Sequence, residues 1–187
     1  QDVMTALDGE LLYGDPATMS LRTVLEEHAS AWLEVETGFT DLEAGQITYL
    51  QDNRHFVWIS ERDGYRHLYL YRNDGTLVRQ LTQGPWDVTD FHGVDEQGGW
   101  VYFTATIDGP RERHLYRVPL HPEASNGQAP APQRITQEPG THDVSISGDF
   151  RYYIDTHTRF LQPPVVTLHR IMGEQIAVLE GNEALRE

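Results

Sequence analysis

The sequence contains no cysteine. That excludes a disulfide framework, a thiolate metal site and a cysteine nucleophile, while leaving reducing and oxidising compartments equally open. Basic residues are scarce: 14 Lys+Arg stand against 29 Asp+Glu, a formal net charge of −15. Affinity for nucleic acid rests largely on Lys and Arg displacing counterions, and no basic run offsets the deficit, so nucleic acid is not an expected partner. Long apolar runs are missing too. The longest charge-free stretches, such as Phe160 to His169, are interrupted by Gln, Pro and Thr. They fall well short of the roughly 20 apolar residues of a membrane-spanning helix. The chain opens Gln1-Asp2-Val3 without an initiator Met, a basic n-region or an apolar h-region, and the expectation is a processed or excised chain.

What is present is ample core material. With 39% hydrophobic and 10% aromatic residues over 187 positions, the chain suits one domain or part of a larger one, unlike a disordered acidic tail. An internal repeat organises it. The stretch Phe56-Val57-Trp58-Ile59-Ser60-Glu61-Arg62-Asp63-Gly64 precedes Arg66-His67-Leu68-Tyr69, and Val101-Tyr102-Phe103-Thr104-Ala105-Thr106-Ile107-Asp108-Gly109 precedes Arg113-His114-Leu115-Tyr116. The offset is 47 residues, from 67 to 114. Arg79-Gln80-Leu81-Thr82-Gln83-Gly84-Pro85-Trp86-Asp87-Val88 likewise matches Gln133 to Val144, at an offset of 56 residues from 87 to 143. The growth in spacing is accounted for by a Pro-, Ala-, Gly- and Asn-rich insertion at Pro122–Pro132, read as a surface loop.

A weaker earlier copy runs from Leu11 to Val35, and a fourth from Arg151 to Glu180. Each unit carries short β-branched and aromatic runs separated by Asp-Gly, Asn-Asp-Gly or Gly-Gly turns. Four short strands per unit of roughly 45 to 50 residues is the pattern of a β-propeller blade. The fold expected is therefore all-β: a partial β-propeller of about three to four blades of four antiparallel strands, with units at approximately 1–40, 41–90, 91–145 and 146–187. One segment conflicts. Leu21, Val24, Leu25, His28 and Trp32 have helical spacing, with Ser20 placed as an N-cap. Alignment with the stronger copies makes Thr23 to Leu25 part of a strand, and the repeat is followed.

The run Ile59 to Tyr71, with its Ser-Glu-Arg-Asp-Gly turn and His-Leu-Tyr strand, followed by Leu81-Thr82-Gln83-Gly84-Pro85-Trp86-Asp87-Val88, resembles the propeller of the dipeptidyl peptidase IV branch of the prolyl oligopeptidase family. Pro164 to His169 followed by Val178 to Leu185 resembles the end of that propeller, where the chain passes toward a catalytic domain. The resemblance covers nearly the whole chain. It implies a serine exopeptidase parent that removes N-terminal dipeptides with Pro or Ala second, no cofactor, and, by family habit, export to the periplasm. Its partners would be a peptide substrate and the parent's own catalytic α/β-hydrolase domain.

The chemistry itself is expected elsewhere. An α/β-hydrolase nucleophile needs Gly-x-Ser-x-Gly at a strand-to-helix turn, and no such pentapeptide occurs in this sequence. Ser145-Ile146-Ser147-Gly148 lacks the leading Gly and reads as a blade turn, so no residue here is expected to be catalytic. The family's paired Glu residues, which hold the substrate's ammonium, belong to an earlier blade; Glu26-Glu27 is read instead as a solvated pair on a strand end. In some relatives an aromatic residue and an Arg after Thr-Gly reach toward the second subsite. The corresponding loop, Thr37 to Glu43, carries Leu42 and Glu43 there, and these two are the substrate-side candidates the resemblance implies.

The remaining constellations read as structural. His67 and His114 occupy equivalent repeat positions, which favours a shared hydrogen-bonding task over metal ligation, and no His-Glu-x-x-His is present. Asp63, Asp74 and Asp108 each precede Gly, as left-handed hairpin turns require. No strand-borne acid pair marks a glycosidase. Trp58, Trp86 and Trp100 fall on strand patterns, and core packing is preferred for them over a sugar-stacking platform. Arg111-Glu112-Arg113 reads as a solvated turn. About four blades cannot close a ring, so self-association through open blade faces is expected. The alternative reading is a non-catalytic propeller module that binds a ligand or protein in its own right.

Overall fold

The computed structural model describes residues 8–15, 19–28, 47–121 and 129–185. They fall into two compact units that divide between Gln80 and Leu81.

In the first unit, β1 (Asp8–Asp15) and β2 (Ser20–His28) form an antiparallel hairpin whose register slips between Leu11 and Leu12. The helical spacing at Leu21 to His28 is thus overridden, and the repeat's strand reading holds. Next come β3 (Ile47–Tyr49), β4 (His55–Ser60), β5 (His67–Arg72) and β6 (Leu77–Gln80), hydrogen-bonded in sequence order as an antiparallel meander. β4 and β5 are buried on both faces, which explains why they read as near-continuous apolar runs rather than alternating ones. The core joins Leu25 of β2 to Phe56, Trp58, Tyr69 and Tyr71, with Leu11, Val24 and Ile47 packed against them. Phe56 and Tyr71 stack with centroids 5.5 Å apart.

The second unit holds two further meanders. One consists of β7 (Val88–Asp95), β8 (Trp100–Ala105), β9 (His114–Pro119) and β10 (Gln133–Arg134). The other consists of β11 (Thr141–Ile146), β12 (Tyr152–Arg159), β13 (Gln162–Arg170) and β14 (Gln175–Glu180), followed by a single 3₁₀ turn at Glu183–Leu185. The 122–132 insertion joins β9 to β10, and residues 122–128 of it lie outside the described residues. The core of this unit is shared by both sheets: Tyr102 and Leu115 from one meet Val144 and Tyr153 from the other across Ile135.

Three consecutive four-stranded antiparallel meanders are the repeating element of a β-propeller. The described residues contain no α-helix. Equivalent repeat residues take equivalent places, since His67 opens the third strand of one meander and His114 the third strand of the next. Trp58 and Trp86 are buried, as core packing requires.

Candidate functional site

The chemistry-bearing side chains gather where the second and third strands of the first two meanders are joined. In the first unit, Gly64 closes this turn at φ +92°. Arg62 is pinned inside it: its Nε donates to Ser60 Oγ at 2.9 Å, Nη1 donates to Tyr71 OH at 2.6 Å, and the guanidinium lies 4.4 Å from the Tyr69 ring centroid. Gln80 Nε2 donates both to Asp63 Oδ2 at 2.9 Å and to Tyr69 OH at 3.2 Å. Burial, followed by the charge of Asp63, pushes the Tyr69 phenol well above its ordinary range.

The second unit repeats this plan. The Tyr116 hydroxyl donates to Asp108 Oδ2, and Arg134 Nη1 lies 3.4 Å from the same oxygen. Tyr116 is likewise pushed up, first by burial and then by its bond to Asp108. Asp63 and Asp108 therefore do more than shape their hairpins: each also engages the Tyr of the following His-Leu-Tyr strand. The recurring Asp-Gly…His-Leu-Tyr pattern carries that signal, which turn chemistry alone does not explain.

Beside this cluster lies a relay of acid, imidazole and hydroxyl. Glu112 Oε2 is 3.0 Å from His114 Nε2, and His114 Nδ1 is 3.1 Å from Thr136 Oγ1. Burial, reinforced by the positive charge of Arg134, holds the His114 pKa below its ordinary value, favouring the neutral ring. A backbone N–H from Gly140, at 2.7 Å, is the main reason the Glu112 carboxyl is also held low. Ionised Glu112 and neutral His114 assign the bonds: Nε2–H donates to the carboxylate, and Nδ1 accepts from Thr136. The relay resembles a nucleophile–base–orienter set, but Thr136 is buried and its Oγ1 also accepts the Leu115 N–H at 3.1 Å. No substrate carbonyl can approach it. The arrangement is a strut, and Glu112, read from the sequence as part of a solvated turn, is its anchor.

The strut also ties one sheet to the next. Arg113 N donates to Gly140 O and His142 N donates to Arg113 O, both at 3.0 Å, so the starts of β9 and β11 run locally in parallel. Above them His114, His142 and His157 form a column with centroid spacings of 4.9 and 4.6 Å. His142 is buried, with Nδ1 2.7 Å from Asp155 Oδ2 and Nε2 2.8 Å from Glu138 O. Among the described residues no group of three His, Asp or Glu is arranged to hold a metal ion.

Ser147 Oγ donates to Asp149 Oδ1 at 2.6 Å and accepts the backbone N–H of Tyr152 at 3.1 Å, the work of a turn residue between β11 and β12. Glu26 and Glu27 lie on β2, opposite Glu10 and Gly9. Leu42 and Glu43 lie outside the described residues.

Comparison with known proteins agrees with this architecture. Residues 7–164 match the family model of the dipeptidyl peptidase IV (DPP IV) N-terminal region. Over 148 residues the chain is 32% identical to dipeptidyl peptidase 4 of Arthroderma otae, covering 78% of this chain and 18% of the relative. Over 127 residues it is 42% identical to dipeptidyl-aminopeptidase B of Aspergillus niger, covering 67% of this chain and 13% of that protein. The crystal structure of Porphyromonas gingivalis dipeptidyl peptidase 4 superposes with a TM-score of 0.78 at 28% identity, over 96% of this chain and 23% of that one. The chain thus spans less than a quarter of the length of each of these relatives.

Proposed function

This chain belongs to the family of dipeptidyl peptidase IV N-terminal regions, and from that premise we propose that it serves a serine exopeptidase that removes N-terminal dipeptides with Pro or Ala in second place. Its part in that reaction is positioning and exclusion. A propeller beside a hydrolase domain restricts entry to short or unfolded peptides and orients their N-termini, which lowers the barrier without making or breaking bonds.

The observation that carries this reading is the superposition of 96% of the chain on a dipeptidyl peptidase 4. The commitment of the Glu112–His114–Thr136 relay to structure supports it, because the best-arranged acid–base set among the described residues has no accessible nucleophile. The partners proposed are the peptide substrate, an α/β-hydrolase domain of the same parent protein, and a second copy of the chain through open sheet edges.

Hydrolysis of Gly-Pro and Ala-Pro chromogenic dipeptides, measured for this chain and for a parent protein carrying a hydrolase domain, tests the assignment. Activity in the parent alone is expected. Activity of the chain by itself, surviving purification controls, would overturn it, and inactivity of both would favour a ligand-binding module.

A further inference from the structure

At the end of the first meander away from Gly64, the β3–β4 and β5–β6 turns border a cleft of about 420 Å³ lined by Asn53, Arg54, His55, Arg72, Asn73 and Asp74. That volume falls in the range of small-ligand sites, roughly 300–1,000 Å³. Its charge is the reverse of the chain's. A protein of net charge −15 here directs two arginines, Arg54 and Arg72, at one space, and a third, Arg22 of β2, lies nearby with Nη2 3.4 Å from the backbone oxygen of Asn73.

The nearby acids bond chiefly to neighbouring backbone, although Asp74, on the cleft wall, also feels the charges of Arg72 and Arg22. Asp52 accepts the backbone N–H of Arg54 at 2.7 Å and of His55 at 3.0 Å through Oδ1, and meets His55 Nδ1 at 2.5 Å through Oδ2. Asp74 Oδ1 accepts the Thr76 N–H at 2.9 Å. Among the described residues, neither the Arg54 nor the Arg72 guanidinium has a hydrogen-bonding or ion-pair partner. One acceptor is also unused. Asn73 Nδ2 donates to Asn53 O at 2.8 Å, which fixes the amide's orientation and leaves Oδ1 buried without a donor.

Two guanidinium forks suit the oxygens of an oxyanion, because each can donate two parallel bonds. A lone buried acceptor beside them suits a hydroxyl. Buried polar atoms are normally paired, so a ligand that brings its own donor gains more than one that does not. We propose that this cleft binds a phosphate group in its protonated form, with Arg54 and Arg72 on the charged oxygens and Asn73 Oδ1 accepting the P–OH proton. Sulfate has the same shape and no proton to give at neutral pH, so it is the discriminating competitor.

The test is calorimetric titration of the chain with inorganic phosphate at pH 6 and low salt, alongside sodium sulfate and glycerol 1-phosphate. Saturable phosphate binding is expected, with sulfate weaker by about tenfold or more, the equivalent of one hydrogen bond to a charged group. Arg54→Ala and Arg72→Ala, both at exposed positions whose loss leaves the core intact, should each weaken phosphate to a similar degree, while Arg159→Ala on β12 should not. Tighter binding of glycerol 1-phosphate would identify a phosphomonoester as the ligand's source, and tighter binding of inorganic phosphate the free ion; either supports the site. Lack of saturation, equal affinity for sulfate, or indifference to both arginine substitutions would overturn it.

Discussion

Gly64 and Gly75 both sit in left-handed turns, at φ +92° and +89°, yet they are not interchangeable. A Cβ on Gly64 meets nothing within 4 Å, so Gly64→Ala adds only the conformational strain of a left-handed alanine. A Cβ on Gly75 would come within 1.8 Å of the carbonyl oxygen of Val24, a backbone atom of β2 that cannot swing aside. The β5–β6 turn therefore needs glycine twice over, for its dihedral and for its approach to the hairpin. Gly75→Ala is expected to lose clearly more stability than Gly64→Ala, each costing at least about 1 kcal/mol where the native φ suits only glycine. Urea denaturation of the two variants checks this, and equal losses would mean that β2 does not press on the turn. The sequence marks both positions as Asp-Gly hairpins, but only the fold distinguishes them.

Among the elements, the joint between β9 and β11 depends on Glu112, whose carboxylate holds Gly140 of the incoming strand and His114 of its own. Replacement by the neutral isostere, Glu112→Gln, should cost about 1.5–3 kcal/mol near pH 7, the scale of hydrogen bonds to a charged group. Because the folded-state pKa lies below the ordinary 4.5, the carboxylate's contribution is present above that value and fades as the pH falls through the folded pKa. The gap in melting temperature between the two proteins should therefore narrow below about pH 4.5. His114, also depressed, adds an acid loss that begins below its ordinary 6.5, and because Glu112 bonds His114 that loss is larger in the variant; the charged role of Glu112 is therefore read below pH 4.5, where a gap that does not narrow would refute it.

This joint shows where legibility ends. The meanders were readable because strand periodicity and left-handed turns recur at fixed offsets, so that His67 and His114 locate each other and outweigh the helical spacing of Leu21 to His28. Bonds between neighbouring sheets leave no such trace. Glu112 and Gly140 meet only after two strands and a long insertion are in place, and the histidine column and the Arg54–Arg72 cleft assemble from residues that are distant in sequence. Leu42 and Glu43 came from resemblance alone and fall outside the described residues.

For the whole molecule, the exposed end of the third meander sets the balance between solubility and association. Among the described residues β14 is an edge strand paired only with β13, and Ile176, Val178 and Leu179 on it are 46%, 56% and 51% exposed, with Ile154 of β12 at 41%. Such an edge is a template for pairing with another chain, and strands that avoid pairing usually carry inward-pointing charges or Pro. Here the opposing term is long-range: two copies each carrying −15 repel one another, and that repulsion is screened as the Debye length shrinks from about 30 Å at 0.01 M salt to about 3 Å at 1 M. Apolar burial at the edge is not screened. Light scattering should consequently report the 21.4 kDa single chain at low salt and a rising mass as salt increases at constant protein concentration. Val178→Glu should hold the single-chain mass at all salts by placing a charge on the edge. A mass that falls with salt would indicate association through ion pairs instead, and an unchanging 21.4 kDa at high salt and high concentration would show that the edge does not pair with a second copy.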